Sequence, residues 1–312
     1  MSFQIAVTNV LLTVIYIIPG YIICKARKAS AEHLSTLSAV LIYIGTPCML
    51  ISSFFALEFS PEYLLKMLYF FIVTFVLQAV FMLILYFIFK KRYDDAKYRI
   101  FTIASVLGNV GYFGLPIVKA LVPGSPEVMC YSSVYVLSMN ILVFTVGAFC
   151  LTARKEFMTL RAALINPSVL GFAAALLIFV FGVKSYFPAP LIDSIQLVGS
   201  MTTPLCMIIL GVRLATVSLK KVFLRPFVYL ICLSKLIIFP LFCYLAVYFL
   251  PFDSAFKAAV LILSATPCAS VILSMAEMYK SETEISANCI LLSTLICFIT
   301  IPLMTLIFNN GF

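Results

Sequence analysis

The sequence predicts an all-α integral membrane protein with ten transmembrane helices arranged as a 5+5 inverted repeat. This prediction depends on the composition, on the spacing of apolar segments and on apolar segments that are interrupted near their middle. Of the 312 residues, 64% are hydrophobic and 11% are charged, and the mean hydropathy is +1.16. Soluble domains are only about half apolar, so the composition indicates a protein of the lipid bilayer.

Apolar segments bounded by charged or turn residues give ten candidate spans. Each is about 20 residues or longer, the length that a helix needs to cross roughly 30 Å of hydrocarbon. The first is interpreted as a retained span, because it lacks the basic region and the cleavage site of a signal peptide. The predicted spans are 5–24, 34–56, 63–89, 98–121, 128–151, 167–187, 191–215, 226–250, 255–279 and 284–308.

The basic residues predict the orientation of these spans. Sixteen of the 21 Lys and Arg residues follow odd-numbered spans, four follow even-numbered spans, and Lys235 lies inside span 8. Basic loops stay on the cytoplasmic side of a membrane, so we expect a plasma-membrane protein with both termini outside the cytoplasm. Because these charges lie between spans rather than on one soluble face, the net charge of +9 does not indicate nucleic-acid binding.

Prolines at matching places suggest that the two halves of the chain are related. Thr-Pro pairs end at Pro47 in span 2 and at Pro204 in span 7, and Pro116 and Pro267 lie in spans 4 and 9. Five crossings in each half would turn the second copy upside down, as in many secondary transporters. The alternative is that prolines are simply common in membrane helices. The predicted units are a first repeat over 1–151, a cytoplasmic linker over 152–166 and a second repeat over 167–312.

Span 4 contains the clearest sign of a binding site. Its segment 105–118 is apolar, yet it includes three glycines, Asn109 and Pro116. Such a helix should break inside the membrane, because glycine lets the backbone open and proline removes a helical hydrogen bond. The freed backbone groups are tolerated only where they line a cavity or are buried in protein. Span 4 is therefore predicted to form half of a substrate site, with span 9 as the other half.

Two broken helices that cross would bring half-helix ends to one point. Their positive N-terminal ends favour a carboxylate, and nearby amides and hydroxyls can hydrogen-bond it. Asn140 in span 5, with Asn288 at the corresponding place in span 10, is expected to brace the crossing. Alternatively, the glycines serve close helix packing and the hydroxyls bond carbonyls one turn back. The predicted substrate-binding residues are Asn109, Gly111, Tyr112, Pro116, Asn140, Thr266, Pro267 and Ser270.

Lys235 lies about 15 Å into span 8, which is too deep for its ammonium to reach the membrane surface easily. A charge inside a membrane is by default a functional hypothesis, so Lys235 is a possible charge partner for a substrate carboxylate. The favoured alternative is a lysine that hydrogen-bonds carbonyls at a helix end.

Other classes of function fit the sequence less well. The spans contain no catalytic pair, and the ten cysteines are scattered singly, so we predict no enzyme, no cofactor and no metal site. A channel would show a continuous polar pore, whereas the polar residues here cluster at the matched interruptions, which favours alternating access. A non-transporting receptor built on a carrier fold stays an alternative. Few acidic residues lie near the crossing, which argues against a strong sodium site. Proton coupling through Lys235 or Glu277 and uniport driven by the membrane potential both stay open.

Four motifs together resemble the auxin efflux carrier (AEC, PIN-like) family, and the resemblance covers essentially the whole chain. They are Gly108-Asn109-Val110-Gly111-Tyr112-Phe113-Gly114-Leu115-Pro116, then Asn166-Pro167, then Lys235-Leu236-Ile237-Ile238-Phe239-Pro240, and Thr266-Pro267 followed by Ala276-Glu277-Met278-Tyr279. The short linker is similar to that of the prokaryotic members.

The resemblance implies a ten-helix fold like that of bile-acid symporters and sodium/proton antiporters. Spans 1, 2, 6 and 7 would form a scaffold, and spans 3–5 and 8–10 a transport domain that moves as an elevator. Spans 4 and 9 would cross at their prolines, and scaffold helices would hold a homodimer. The implied substrates are organic anions such as auxin, malate or malonate.

Overall fold

The computed structural model describes residues 3–55, 57–121, 127–158, 161, 164–216 and 225–311. These residues form helices joined by short turns, and within them the one β-type pairing is an isolated bridge. The helices are α1 Phe3–Lys25, α2 Leu34–Phe54, α3 Pro61–Phe89, α4 Ala96–Ala104, α5 Leu115–Leu121, α6 Glu127–Thr152, α7 Pro167–Val180, α8 Ala189–Thr216, α9 Pro226–Tyr248, α10 Ser254–Ser264, α11 Ser270–Met278 and α12 Thr283–Gly311.

Each predicted span coincides with a helix or with a pair of short helices. Helices α4 and α5 are the two halves of span 4, and α10 and α11 are the two halves of span 9, so both predicted interruptions are present. Among the described residues, six helices are long and apolar enough to cross a membrane: α2, α3, α6, α8, α9 and α12. The chain is therefore a helical membrane protein, and the count of ten crossings stays a prediction.

Polar residues at the predicted boundaries start several helices. A side-chain oxygen that accepts a backbone N–H from the first turn satisfies one of the donors that every helix leaves unpaired there. Asn166 Oδ1 accepts from the Val169 N–H at 3.0 Å, which explains how the Asn166-Pro167 motif opens α7. Ser60, Asp95 and Asp253 do the same for α3, α4 and α10.

Three prolines follow π turns, in which a backbone N–H bonds the carbonyl five residues back. The turns Leu41–Gly45, Val110–Gly114 and Ser234–Ile238 come two residues before Pro47, Pro116 and Pro240. A wider turn accommodates the missing N–H of proline and its ring. The prediction that the broken helices cross at their prolines was therefore wrong for Pro116, which lies within α5, although Pro267 does lie at the crossing.

Several basic side chains hydrogen-bond carbonyl oxygens at the C-terminal ends of other helices. This placement suits the helix dipole, because the last carbonyls of a helix have no helical partner and carry partial negative charge. Some of the basic residues that are expected to indicate topology therefore also stabilise helix ends. The pairs are Lys25 with Ala215, Arg99 with Cys150, Lys184 with Phe55, Lys235 with Ser264 and Lys257 with Tyr248.

Two helix pairs, α1 with α8 and α2 with α7, pack extensively. Helix α1 lies so close to α8 that a Cβ atom on Gly211 would overlap the carbonyl oxygen of Ile17, and small residues are what permit such an approach. Helix α2 packs against α7, where Phe54 makes edge contacts with Phe172 and Phe179, both with ring centroids 5.7 Å apart. Residues 256–269 of span 9 are buried throughout.

Candidate functional site

The two interruptions cross by pairing their backbones. The Asn109 N–H donates to Pro267 O at 2.8 Å, and the Ala269 N–H donates to Leu107 O at 3.0 Å. These bonds form an antiparallel bridge between Gly108 and Cys268. Extended backbone inside a membrane must find partners within the protein, and here each interruption supplies them to the other.

At the crossing, two helices reach their C-terminal ends and two helical segments begin. Helices α4 and α10 end at it, whereas the π turn leading into α5 and the first turn of α11 begin at it. The N–H groups of a first helical turn have no helical partner and carry partial positive charge. Both of these beginnings, at 109–111 and 269–271, line one cavity.

This cavity has a volume of about 230 Å³, which suits a small molecule. Its walls come from α2, α6, α8, α11 and α12, from the start of α7 and from the crossing itself. Apolar side chains, including Met49, Val136 and Phe144, cover much of it. Its polar lining residues in the described part of the chain are Ser38, Thr46, Asn109, Asn140, Asn166, Ser168, Arg213, Ser270, Ser274 and Thr294.

Four of the predicted substrate-binding residues line this cavity: Asn109, Gly111, Asn140 and Ser270. Asn109 and Asn140 are both buried, with 8% and 6% of their surface exposed. The Nδ2 atom of Asn140 is buried and has no hydrogen-bond partner in the described part of the chain. Burying a donor without a partner is unfavourable.

The other predicted residues lie elsewhere. Thr266 is fully buried, its hydroxyl donates to Leu263 O at 2.7 Å, and it is not among the residues that line the cavity, which contradicts the expectation that it faces the same cavity as Asn109. Its hydroxyl bonds the carbonyl three residues back, which is a common arrangement for this residue type. Pro267 contributes its backbone carbonyl to the crossing. The side chains of Tyr112 and Pro116 lie outside the described part of the structure.

Lys235 lies beside the C-terminal end of α10, where that helix reaches the crossing. Its Nζ donates to Ser264 O, the last residue of α10, at 2.7 Å, and lies 4.9 Å from the centre of the Phe239 ring. Lys235 is completely buried and is not among the residues that line the cavity. This geometry favours the interpretation of Lys235 as a residue that caps a helix end.

Arg213 is a cavity residue that sequence reasoning missed. It was counted as one of the basic residues that indicate topology, but it lies in the last turn of α8 and lines the cavity. Its Nη1 lies 3.3 Å from Oε1 of Glu277, near the end of α11. Arg213 also falls inside the predicted span 191–215, and this position within an apolar span was the signal that could have identified it.

We expect replacement of Gly108 by alanine to destabilise the crossing. A Cβ atom there would overlap the Thr266 hydroxyl and lie 3.1 Å from Lys235 Nζ. Such overpacking typically costs about 1–3 kcal/mol of folding free energy. Thermal unfolding of the purified variant measures this loss. Gly147→Ala is the matched control, because the nearest neighbour of its new Cβ would lie at an ordinary 3.5 Å. Equal melting temperatures of the two variants would contradict the prediction that Gly108 is tightly packed at the crossing.

Comparison with known proteins agrees with this architecture. The sequence model of a family described as membrane transport proteins matches residues 5–157 and 152–305, nearly the whole chain. The chain is also 25% identical over 307 residues to the uncharacterized transporter MJ1031 of Methanocaldococcus jannaschii, covering 96% of this chain and 98% of that protein. The chain therefore belongs to the auxin efflux carrier (PIN-like) family of membrane transport proteins and is a multi-pass membrane transporter.

Proposed function

We propose that this chain is a secondary transporter that moves a small organic carboxylate through the cavity at the crossing. Both auxin-like monocarboxylates and dicarboxylates such as malate or malonate belong to the proposed class. The observation that carries the proposal is the lining of the cavity. Two half-helix beginnings, two buried asparagines and Arg213 all favour an anion there, and no acidic side chain lines the described part of the cavity.

The position of the cavity supports an elevator mechanism. One wall comes from α2, α7 and α8, which belong to the proposed scaffold, and the opposite wall comes from the crossing, α6, α11 and α12, which belong to the proposed transport domain. A ligand between two bodies can be carried across the membrane when one body slides against the other. In the proposed orientation both termini face outward, and scaffold helices hold a homodimer.

Corresponding contacts in the two halves support the inverted repeat. Lys25 at the end of α1 donates to Ala215 O at the end of α8, and Lys184 after α7 donates to Phe55 O just after α2. These are the contacts expected if spans 1 and 2 correspond to spans 6 and 7. Arg99 and Lys257, each at the fourth residue of the first half of its broken span, also both bond backbone carbonyls.

Flux into proteoliposomes tests the function. The purified protein is reconstituted and offered a panel of radiolabelled mono- and dicarboxylates, with and without sodium and pH gradients. We expect saturable uptake that responds to the membrane potential and is stimulated by unlabelled substrate on the opposite side. Uptake that needs neither sodium nor protons would identify a uniporter. Binding without flux would indicate a receptor, and conduction without saturation or counterflow a channel, and either result would contradict the proposal.

A further inference from the structure

Arg213 has a special position among the residues that line the cavity. It is the one side chain with a full charge in the described part of the lining, and it pairs with Glu277, which lies seven residues beyond Ser270 on α11. About 24% of its side chain is exposed, against 52% for Glu277, so the ion pair is partly accessible from outside the protein. The two residues come from α8 and α11, which face each other across the cavity.

The cavity walls fix the distance between this ion pair and the crossing. Cys206 and Arg213 on α8 are seven residues apart and both line the cavity, and Ser270 and Glu277 on α11 have the same separation. Seven residues of helix rise about 10 Å. Side chains on a helix lean toward its N-terminus, which from Arg213 is the direction of the crossing. The Arg213 side chain is therefore directed toward a ligand that would bind at the half-helix beginnings.

We propose that Arg213 is the specificity-determining residue of the cavity and that Glu277 is its resident counter-ion. A substrate with a second acidic group would place the first acid at the crossing and the second on Arg213, where it replaces the Glu277 carboxylate. This inference rests on the proposed carboxylate site and adds a second anion contact to it.

The geometry of the ion pair suits such an exchange. One nitrogen of Arg213 contacts one oxygen of Glu277 at 3.3 Å, and no other partner of the guanidinium lies in the described part of the chain, so its other donors can bind a second carboxylate. Both partners are partly solvated, and ion pairs of this kind contribute little to stability. The Glu277 carboxylate can therefore leave and be rehydrated. In the empty protein the Glu277 carboxylate neutralises the Arg213 guanidinium, which would otherwise be an unpaired charge.

The experiment compares succinate with butyrate, which have carbon chains of equal length and differ by one carboxylate. Binding of each by purified protein is measured for the wild type, Arg213→Gln and Glu277→Gln. We expect Arg213→Gln to weaken succinate about tenfold, the lower end of the range for a hydrogen bond to a charged group, and to leave butyrate nearly unchanged. Glu277→Gln should tighten succinate about two- to fivefold, because it removes the competing carboxylate.

The Arg225–Glu284 pair supplies a matched control. Its atoms lie 2.7 Å apart, it joins the start of α9 to the start of α12, and neither residue lines the cavity. Arg225→Gln and Glu284→Gln should leave both ligands unaffected. Equal effects of Arg213→Gln on succinate and butyrate, or weaker succinate binding in Glu277→Gln, would overturn the assignment. If no mono- or dicarboxylate binds to the wild type, the proposed function itself fails, which is a distinguishable result.

Discussion

Replacement of Lys235 by glutamine should lower the stability of the protein without changing its selectivity for ligands. The Lys235 ammonium is fully buried and donates to the carbonyl that ends α10, and its removal leaves that buried acceptor without its charged donor. A hydrogen bond of this type contributes about 1.5–3 kcal/mol, and the loss appears as a lower melting temperature of the purified protein. The melting temperature should fall equally with and without ligand.

Lys257→Gln is the matched control for this prediction. Lys257 is also buried and also donates to a carbonyl at a helix end, that of Tyr248 at 2.9 Å, and like Lys235 it does not line the cavity. Both variants should therefore lose stability and keep the stabilisation that ligand binding adds. If Lys235→Gln melts at the wild-type temperature and ligand no longer raises that temperature, Lys235 contacts the substrate and this prediction is wrong.

Much of the fold could be predicted from the sequence because its signals are local. The length of an apolar segment, a capping residue such as Asn166 and a glycine-rich interruption each act within a few residues of chain. The same holds for Asn109, whose place after Gly108 in the interruption predicts that it faces the cavity. Such signals locate helices and breaks along the chain.

The contacts of individual side chains could not be predicted in the same way. Thr266 lies next to the crossing, yet its hydroxyl bonds its own turn, and only the three-dimensional arrangement shows which side of the crossing it occupies. Pro116 marked an interruption correctly, but it lies in α5, two residues after the π turn Val110–Gly114, whereas the break itself precedes that turn. Arg213 resembles any basic residue at the end of a span until α11 brings Glu277 beside it.

Replacement of Asn109 by leucine should have the largest effect on binding. Asn109 lies at the crossing, it is buried, and it lines the cavity beside the half-helix beginnings. Loss of one hydrogen bond to a carboxylate costs about 1.5–3 kcal/mol, a weakening of roughly 10- to 150-fold. The fold should persist, because the backbone bond from the Asn109 N–H to Pro267 O does not involve the side chain.

Asn288→Leu is the control for this replacement. Asn288 is a buried asparagine in α12 whose Nδ2 has no partner in the part of the chain that the structure describes, and it does not line the cavity. Leucine at this position removes an unsatisfied donor without touching the proposed site. We therefore expect wild-type binding from this variant.

The central claim is that a carboxylate binds at the crossing of spans 4 and 9. Its most direct test is the affinity and counterflow rate of Asn109→Leu, measured beside the wild type and Asn288→Leu for a carboxylate that the wild type transports. We expect Asn109→Leu to fold, to bind the substrate at least tenfold more weakly and to exchange it correspondingly slowly at subsaturating concentration. Binding and exchange at wild-type levels would show that the site does not lie at the crossing.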